Sequence, residues 1–287
     1  MAGVVWHRFS RHRMAVASLG FIAALAVVSI FVPWLSPYDP DKPQLASQFR
    51  PPSPGHLMGT DDLGRDLLTR ILYGGRISMS IGVLAMALAV VIGTTIGALA
   101  GYYGRWADNL LMRLTDLMLS IPGLFLLILM TLLLRSFSIP FLSSASMVPA
   151  IVLAIALLSW MTVARLVRAS FLSLKEAVFV EAARAAGAGN PRIMIRHILP
   201  SAASPIIVAA TLRVASSIIT ESGLSYLGFG VQLPTPTWGN MLRNAQDQMI
   251  VAPWTAIFPG VFIFFTVIAI NYIGDGLRDA LDPRHLR

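Results

Sequence analysis

Six apolar runs separated by polar stretches organise the chain. They lie at roughly 14–35, 77–101, 114–134, 147–167, 201–220 and 254–274. Each approaches or exceeds the about 20 residues that a membrane-crossing helix needs. The first run is longer than the apolar core of a cleaved leader. It ends in Val32-Pro33-Trp34-Leu35, with no small-residue cleavage site, so it reads as a retained anchor. Span 2 carries Gly93, Gly97 and Gly101 at four-residue spacing, a stripe that lets a neighbouring helix come close. Span 3 carries Ile121-Pro122-Gly123. Proline there removes a backbone donor and predicts a kink.

The polar stretches are patterned too. Residues 36–76 open with Pro37, Pro40, Pro43, Pro51, Pro52 and Pro54, which predicts extended chain. Gly59 to Leu68 then predicts a helix start capped by Thr60 or Asp61, with Asp62 and Asp66 in its first turn. Leu67, Leu68, Ile71 and Leu72 give that helix an apolar face, suited to the outer membrane surface. Between spans 4 and 5, Val178 to Ala186 is Ala-rich and helical in propensity. Gly187, Gly189, Asn190 and Pro191 stop it, and Pro191 opens a second short helix that leads to Pro200.

Composition makes the membrane reading firm. The chain is 56% hydrophobic and 13% charged, against about 25% charged in soluble domains. It has no cysteine, which excludes disulfides, thiolate metal sites and cysteine nucleophiles. The net charge of +8 could fit nucleic acid, but its distribution follows the spans. Arg8, Arg11, Arg13, Arg105, Arg113, Arg165, Arg168, Lys175, Arg184, Arg192, Arg196, Arg278, Arg284 and Arg287 fall on one side, fourteen in all. Lys42, Arg50, Arg65, Arg70, Arg76, Arg135 and Arg243, seven in all, fall on the other. The basic-rich side is expected in the cytoplasm, with both termini and the Val178–Pro200 loop.

That loop resembles the coupling segment of ABC importer permeases, whose pattern is Glu-Ala-Ala-x-x-x-Gly followed by an Ile-x-Leu-Pro ending. Glu181, Ala182, Ala183 and Gly187 fit in register, as do Leu199 and Pro200. His197 stands where the isoleucine is usual, and Ile198 follows it. The external Gly59-Thr60-Asp61-Asp62-Leu63-Gly64-Arg65-Asp66, then Arg70, Tyr73-Gly74, Arg76 and Ser78, is similar to the signature after span 1 of peptide-type permeases. So are Pro234-Thr235-Pro236-Thr237-Trp238-Gly239-Asn240-Met241-Leu242 and Asp275-Gly276-Leu277-Arg278-Asp279-Ala280-Leu281-Asp282-Pro283. Over nearly its whole length the chain resembles the C-type permease subunit of dipeptide and oligopeptide ABC importers.

The resemblance implies an all-α polytopic membrane protein with six transmembrane helices and the type I ABC importer permease fold. Residues 1–76 would form an anchor helix plus external segment. Residues 77–287 would form the core permease, with its coupling loop at about 170–200. It implies a non-catalytic subunit of the inner membrane that works by alternating access. Partners would be a second permease subunit, one or two ATP-binding subunits and an extracytoplasmic solute-binding protein, besides membrane lipid. ATP and Mg would bind those ATPases, since the chain has no Gly-x-x-x-x-Gly-Lys-Ser/Thr motif and no cofactor site of its own. Relatives carry peptides, nickel chelates, glutathione and similar solutes, so cargo stays open.

On that match Glu181, Ala182, Ala183, Arg184, Gly187 and Arg192 are the ATPase-docking residues, with Gly187 as the left-handed turn. Arg184 and Arg192 equally serve the charge bias of the cytoplasmic side. Ionisable residues within spans are candidates for the translocation pathway. Arg213 lies mid-span and would meet either a cargo carboxylate or an acid on the second permease. Glu221 lies near the outer end of span 5, to attract a cargo amine or to sit at the water interface. Trp34, Trp106, Trp160 and Trp254 suit the interfacial belt. The five histidines form no metal-ligand spacing, and no His-Glu-x-x-His is present. That leaves little for an intramembrane enzyme, and the spans lack the acidic relay of an ion-coupled carrier.

Overall fold

A computed structural model describes residues 2–136 and 147–281; Asp282, Pro283, Arg284, His285 and Arg287 lie outside the described residues, as does the side chain of Arg135. Eleven helices follow in order among the described residues. They are α1 (Ala2–Phe9), α2 (Arg13–Leu35), α3 (Leu67–Tyr103), α4 (Arg105–Ser120), α5 (Gly123–Ser136) and α6 (Val148–Leu174), then α7 (Val178–Ala185), α8 (Asn190–Arg192), α9 (Leu199–Tyr226), α10 (Trp238–Ala245) and α11 (Trp254–Leu281). Five stretches are single helices long and apolar enough to cross a membrane: α2, α3, α6, Asn190–Tyr226 and α11.

The sixth run departs from a straight span. It divides into α4 and α5, bent by 97° at Ile121-Pro122. A kink follows from the missing amide of Pro122. The size of the bend follows from polarity. Asp108 and Asp116 of α4 are drawn to Arg168 and Arg165 of α6. The uncharged run Leu124–Leu134, apolar but for Thr131, turns instead toward the bundle, where Leu127 is buried against Ile81, Ile151 and Ile155. Alone, α5 has 14 residues. It covers about 21 Å at 1.5 Å per residue, less than the about 30 Å hydrocarbon layer.

The external segment also differs from expectation. No separate surface helix forms after residue 60. Asp66 is the cap of α3, accepting from Thr69 N at 2.9 Å and from Thr69 Oγ1 at 2.7 Å. Asp61 instead closes a tight loop. It accepts from the amides of Leu63 at 3.0 Å and Arg65 at 2.9 Å, and from Arg65 Nε at 2.7 Å. Thr60 accepts from Arg50 N at 2.8 Å. Leu67 and Ile71 are buried against the core. Helix α3 therefore runs without interruption through residue 76, where the sequence placed a division. Its 37 residues make it about 55 Å long, well beyond the hydrocarbon layer.

The bundle is built around α3 and α6. A Cβ added at Gly93 would lie 2.7 Å from Trp160 O and from Val163 Cβ. At Gly97 it would lie 2.8 Å from Val167 Cβ, and at Gly101 2.7 Å from Phe171 Cβ. The stripe expected from spacing thus seats one helix directly on the other. Trp160 is 7% exposed inside this contact, so it belongs to the core, not to an interfacial belt. Trp34 and Trp106 do lie exposed, and Trp254 donates Nε1 to Thr60 O at 3.1 Å.

Helix α9 continues α8 with no break. Residues Ile193–Ile198 form one π-helical stretch between them. Pro200 lacks an amide, so the usual bond to the carbonyl four residues back is lost, and a widened turn just before it absorbs the mismatch. The second short helix expected to end at Pro200 is thus the first part of a long one. Helix α10 is secured by a capping box: Asn240 N donates to Thr237 Oγ1 at 3.2 Å and Thr237 N to Asn240 Oδ1 at 2.9 Å.

Gly97→Leu is expected to destabilise the isolated chain by about 1–3 kcal/mol, the usual cost of overpacking. Gly20→Leu, where nothing lies within 4 Å, is expected to leave thermal unfolding in detergent unchanged. Equal melting of the two variants would refute the α3–α6 seat.

Candidate functional site

The Val178–Pro200 loop stands as one lobe at the ends of α3, α6 and α9. Its inner side is apolar and buried. Val180, Ile193 and Ile198 are fully buried with Phe171, Val167 and Ala98. Full burial of such side chains stabilises by about 1.5–3 kcal/mol each. Tyr102 Oη donates to Asn190 Oδ1 at 2.8 Å, tying the end of α3 to the start of α8. The loop is therefore carried by three long helices at once.

Its turn is a Schellman closure. Ala188 N donates to Ala183 O at 3.0 Å and Gly187 N to Arg184 O at 3.0 Å. Gly187 has φ +80°, the left-handed conformation expected for it. A Cβ there would meet nothing within 4 Å, so the need for glycine lies in the backbone alone.

The sequence-named residues split between the two sides. Glu181, Ala182, Arg184, Gly187 and Arg192 are exposed. Ala183 is half-buried and packs on the inner cluster, so it supports the surface from beneath. Two outward groups escape a motif reading: Val178, 81% exposed, and Phe179, 41% exposed. Val178, Ala182 and Ala185 share one helical face at spacings of four and three. An apolar Val-Phe pair beside Lys175 and Glu176, in a segment placed in water by the charge pattern, is the signal that would have found them.

Arg213 and Glu221 do not meet. Arg213 lies at the midpoint of α9, half-buried, on a cavity of about 480 Å³ lined also by Met118, Leu124, Ile155, Ser159 and Thr220. Glu221 turns to another face and is fully buried, outside the wall of that cavity. Ser78 Oγ donates to its Oε2 at 2.9 Å, and Ser225 Oγ to its Oε1 at 2.7 Å. Ser78 Oγ accepts from Trp238 N at 3.4 Å, and Ser225 Oγ accepts from Val231 N at 3.2 Å. The carboxyl is thus the hub of a relay that joins α3, α9 and the segment before α10. A pathway role for Glu221 finds no support in this geometry. Ser78 and Ser225, 143 and 4 residues away, could not be read as its partners from the chain.

Comparison with known proteins gives the class. Residues 93–287 match the model of the family described as binding-protein-dependent transport system inner membrane component. The chain belongs to that family, and it is a multi-pass permease subunit of an ABC importer. Residues 1–52 match the N-terminal transmembrane domain of oligopeptide transport permease C. Among curated relatives, the glutathione transport system permease protein GsiD of Pectobacterium atrosepticum is 42% identical over 280 residues, 97% of this chain and 90% of that protein. GsiD of Escherichia coli O157:H7 is 43% identical, over 97% and 89% of the two chains. A chain of the MetNI methionine ABC transporter, in an inward-facing conformation, aligns with a TM-score of 0.60 at 20% identity, over 75% of this chain and 96% of that one. That likeness shows the fold.

Glu221→Leu is expected to strand both serine hydroxyls, at about 1–3 kcal/mol for each unsatisfied group. Glu221→Gln keeps an acceptor and is expected to lose less. Thermal unfolding in detergent checks the order, and equal losses would contradict the relay.

Proposed function

We infer that this chain is one of two different permease subunits of an importer for di- and oligopeptides. Cargo arrives on an extracytoplasmic binding protein, and one or two kinds of ATPase subunit supply the ATP and Mg chemistry. The observation that carries this is the exposed lobe of α7 and α8, closed at Gly187 and held by the ends of α3, α6 and α9. Glu181, Ala182, Arg184 and Arg192, with Val178 and Phe179, form the surface that receives the ATPase. Small side chains allow close approach, and the two arginines offer fork-like donors to acids.

Movement of the ATPase pair acts on the lobe as a rigid body, because Val180, Ile193 and Ile198 bind it to the core. Alternating access then follows from relative motion of the two permeases. The charge bias supports a cytoplasmic position for the lobe and for both termini. The anchor α2 and the external segment brace the outer end of the core unit. Glutathione is the alternative cargo, supported by the names of the relatives at 42% and 43% identity.

Two measurements test this. The tagged chain, purified from its native membrane in mild detergent, is expected to bring a second permease and one or two ATPases, identified by mass spectrometry. Recovery of the chain alone would refute the reading. Ala182→Trp adds bulk at an exposed position and is expected to leave the chain folded while cutting ATPase recovery at least about tenfold, the equivalent of about 1.4 kcal/mol. Gly187→Val, which forces a branched side chain into φ +80°, is expected to weaken ATPase recovery as well, and Gly187→Asn to be tolerated.

A further inference from the structure

Arg213 is a permanent cation at the midpoint of a membrane helix. Such a residue costs about 2.5–3.5 kcal/mol on insertion scales, so it calls for a compensating group. Among the described residues it has neither a hydrogen bond nor an ion pair. The cavity it lines, about 480 Å³, contains no Asp or Glu in its wall. Ser159 Oγ, on the same wall, is likewise without a partner. Thr220 donates to Ser216 O and Thr162 to Ser159 O, at 2.8 and 2.9 Å, so their lone donors are spent. The cavity also receives the break between α4 and α5, through Ile121 and Gly123. Interrupted backbone at membrane depth is stable where it lines a polar, hydrated space. A volume of this size falls in the range of small-solute sites, about 300–1,000 Å³.

We propose that Arg213, with Ser159, forms a subsite for the carboxylate of the transported solute. The class of ligand is a small molecule bearing a free carboxylate, such as the C-terminal end of a short peptide. A guanidinium receives a carboxylate through two parallel N–H donors, and the Ser159 hydroxyl adds a third. The apolar wall of Met118, Leu124 and Ile155 suits the remainder of the solute. The subsite rests on the importer reading, since a carboxylate needs to pass this cavity only if the chain carries cargo.

The absence of cysteine permits a direct test. The whole transporter carries Ser159→Cys, or Thr220→Cys where the first does not assemble, in a cysteine-free background. Its reaction rate is measured with an anionic sulfonatoethyl and a cationic trimethylammonioethyl methanethiosulfonate. The anionic-to-cationic rate ratio is expected to fall roughly tenfold on Arg213→Gln and to recover largely in Arg213→Lys. Excess trialanine is expected to slow labelling, and its C-terminal amide not to. A ratio insensitive to Arg213→Gln would overturn the proposal, meaning that an acid of the second permease already neutralises the guanidinium. Equal protection by acid and amide, or none by either, would also overturn it. Labelling needs no ATP hydrolysis, so its failure is separate from failure to recover ATPases.

Discussion

Everything in this molecule depends on how closely α3 and α6 approach. In lipid, helices gain little from hiding apolar surface, because the solvent is as apolar as they are. Association then rests on dispersion contacts, which are individually small and fade within an ångström of separation. Gly93, Gly97 and Gly101 remove the side chains that would hold the two backbones apart. The ends of both helices are thereby fixed together, and so is the apolar nest of Phe171, Val180, Ile193 and Ile198 that supports the Val178–Pro200 lobe. The exposed side of the lobe is thus held in place by contacts made between long apolar helices.

The two ionisable residues of α9 show opposite ways of placing a polar group in that setting. Glu221 is surrounded by hydroxyls, and each serine that serves it also takes an amide from the chain around α10. Every group in the relay has a partner, so the carboxyl acts as a structural knot. Arg213 has an open wall beside it and, among the described residues, no partner of its own. A buried polar network that is complete rigidifies a fold, whereas an intramembrane cation outside any network is a candidate for function.

The spans, the glycine stripe and the turn at Gly187 were readable along the chain because each depends on local pattern. Hydropathy places apolar runs, four-residue spacing defines a helix face, and a glycine ending a helix has one common use. The bend at Pro122 was readable only as a kink. Its extent is set by Asp108 and Asp116, whose partners stand on α6, 60 and 49 residues away. The cap of α3 illustrates competition between neighbours. Thr60, Asp61 and Asp66 are all competent caps, and the tight loop closed by Arg65 takes Asp61 out of contention. Burial of Ala183, Trp160 and Glu221 was invisible for the same reason: each is decided by what packs across from it.

The continuity of Asn190–Tyr226 has a mechanical side. These 37 residues form one rod, about 55 Å long, with the lobe at one end and the Glu221 knot near the other. A tilt of about 5° about the Tyr226 end would sweep the lobe sideways by about 5 Å, by simple proportion to that length. The widened turn at Ile193–Ile198 lies close to the lobe, where a lever is most easily flexed without moving its far end. Displacement at the lobe would therefore be scaled down along the rod: Arg213 stands 13 residues, about 20 Å, from Tyr226, so about a third of it, under about 2 Å, would arrive there.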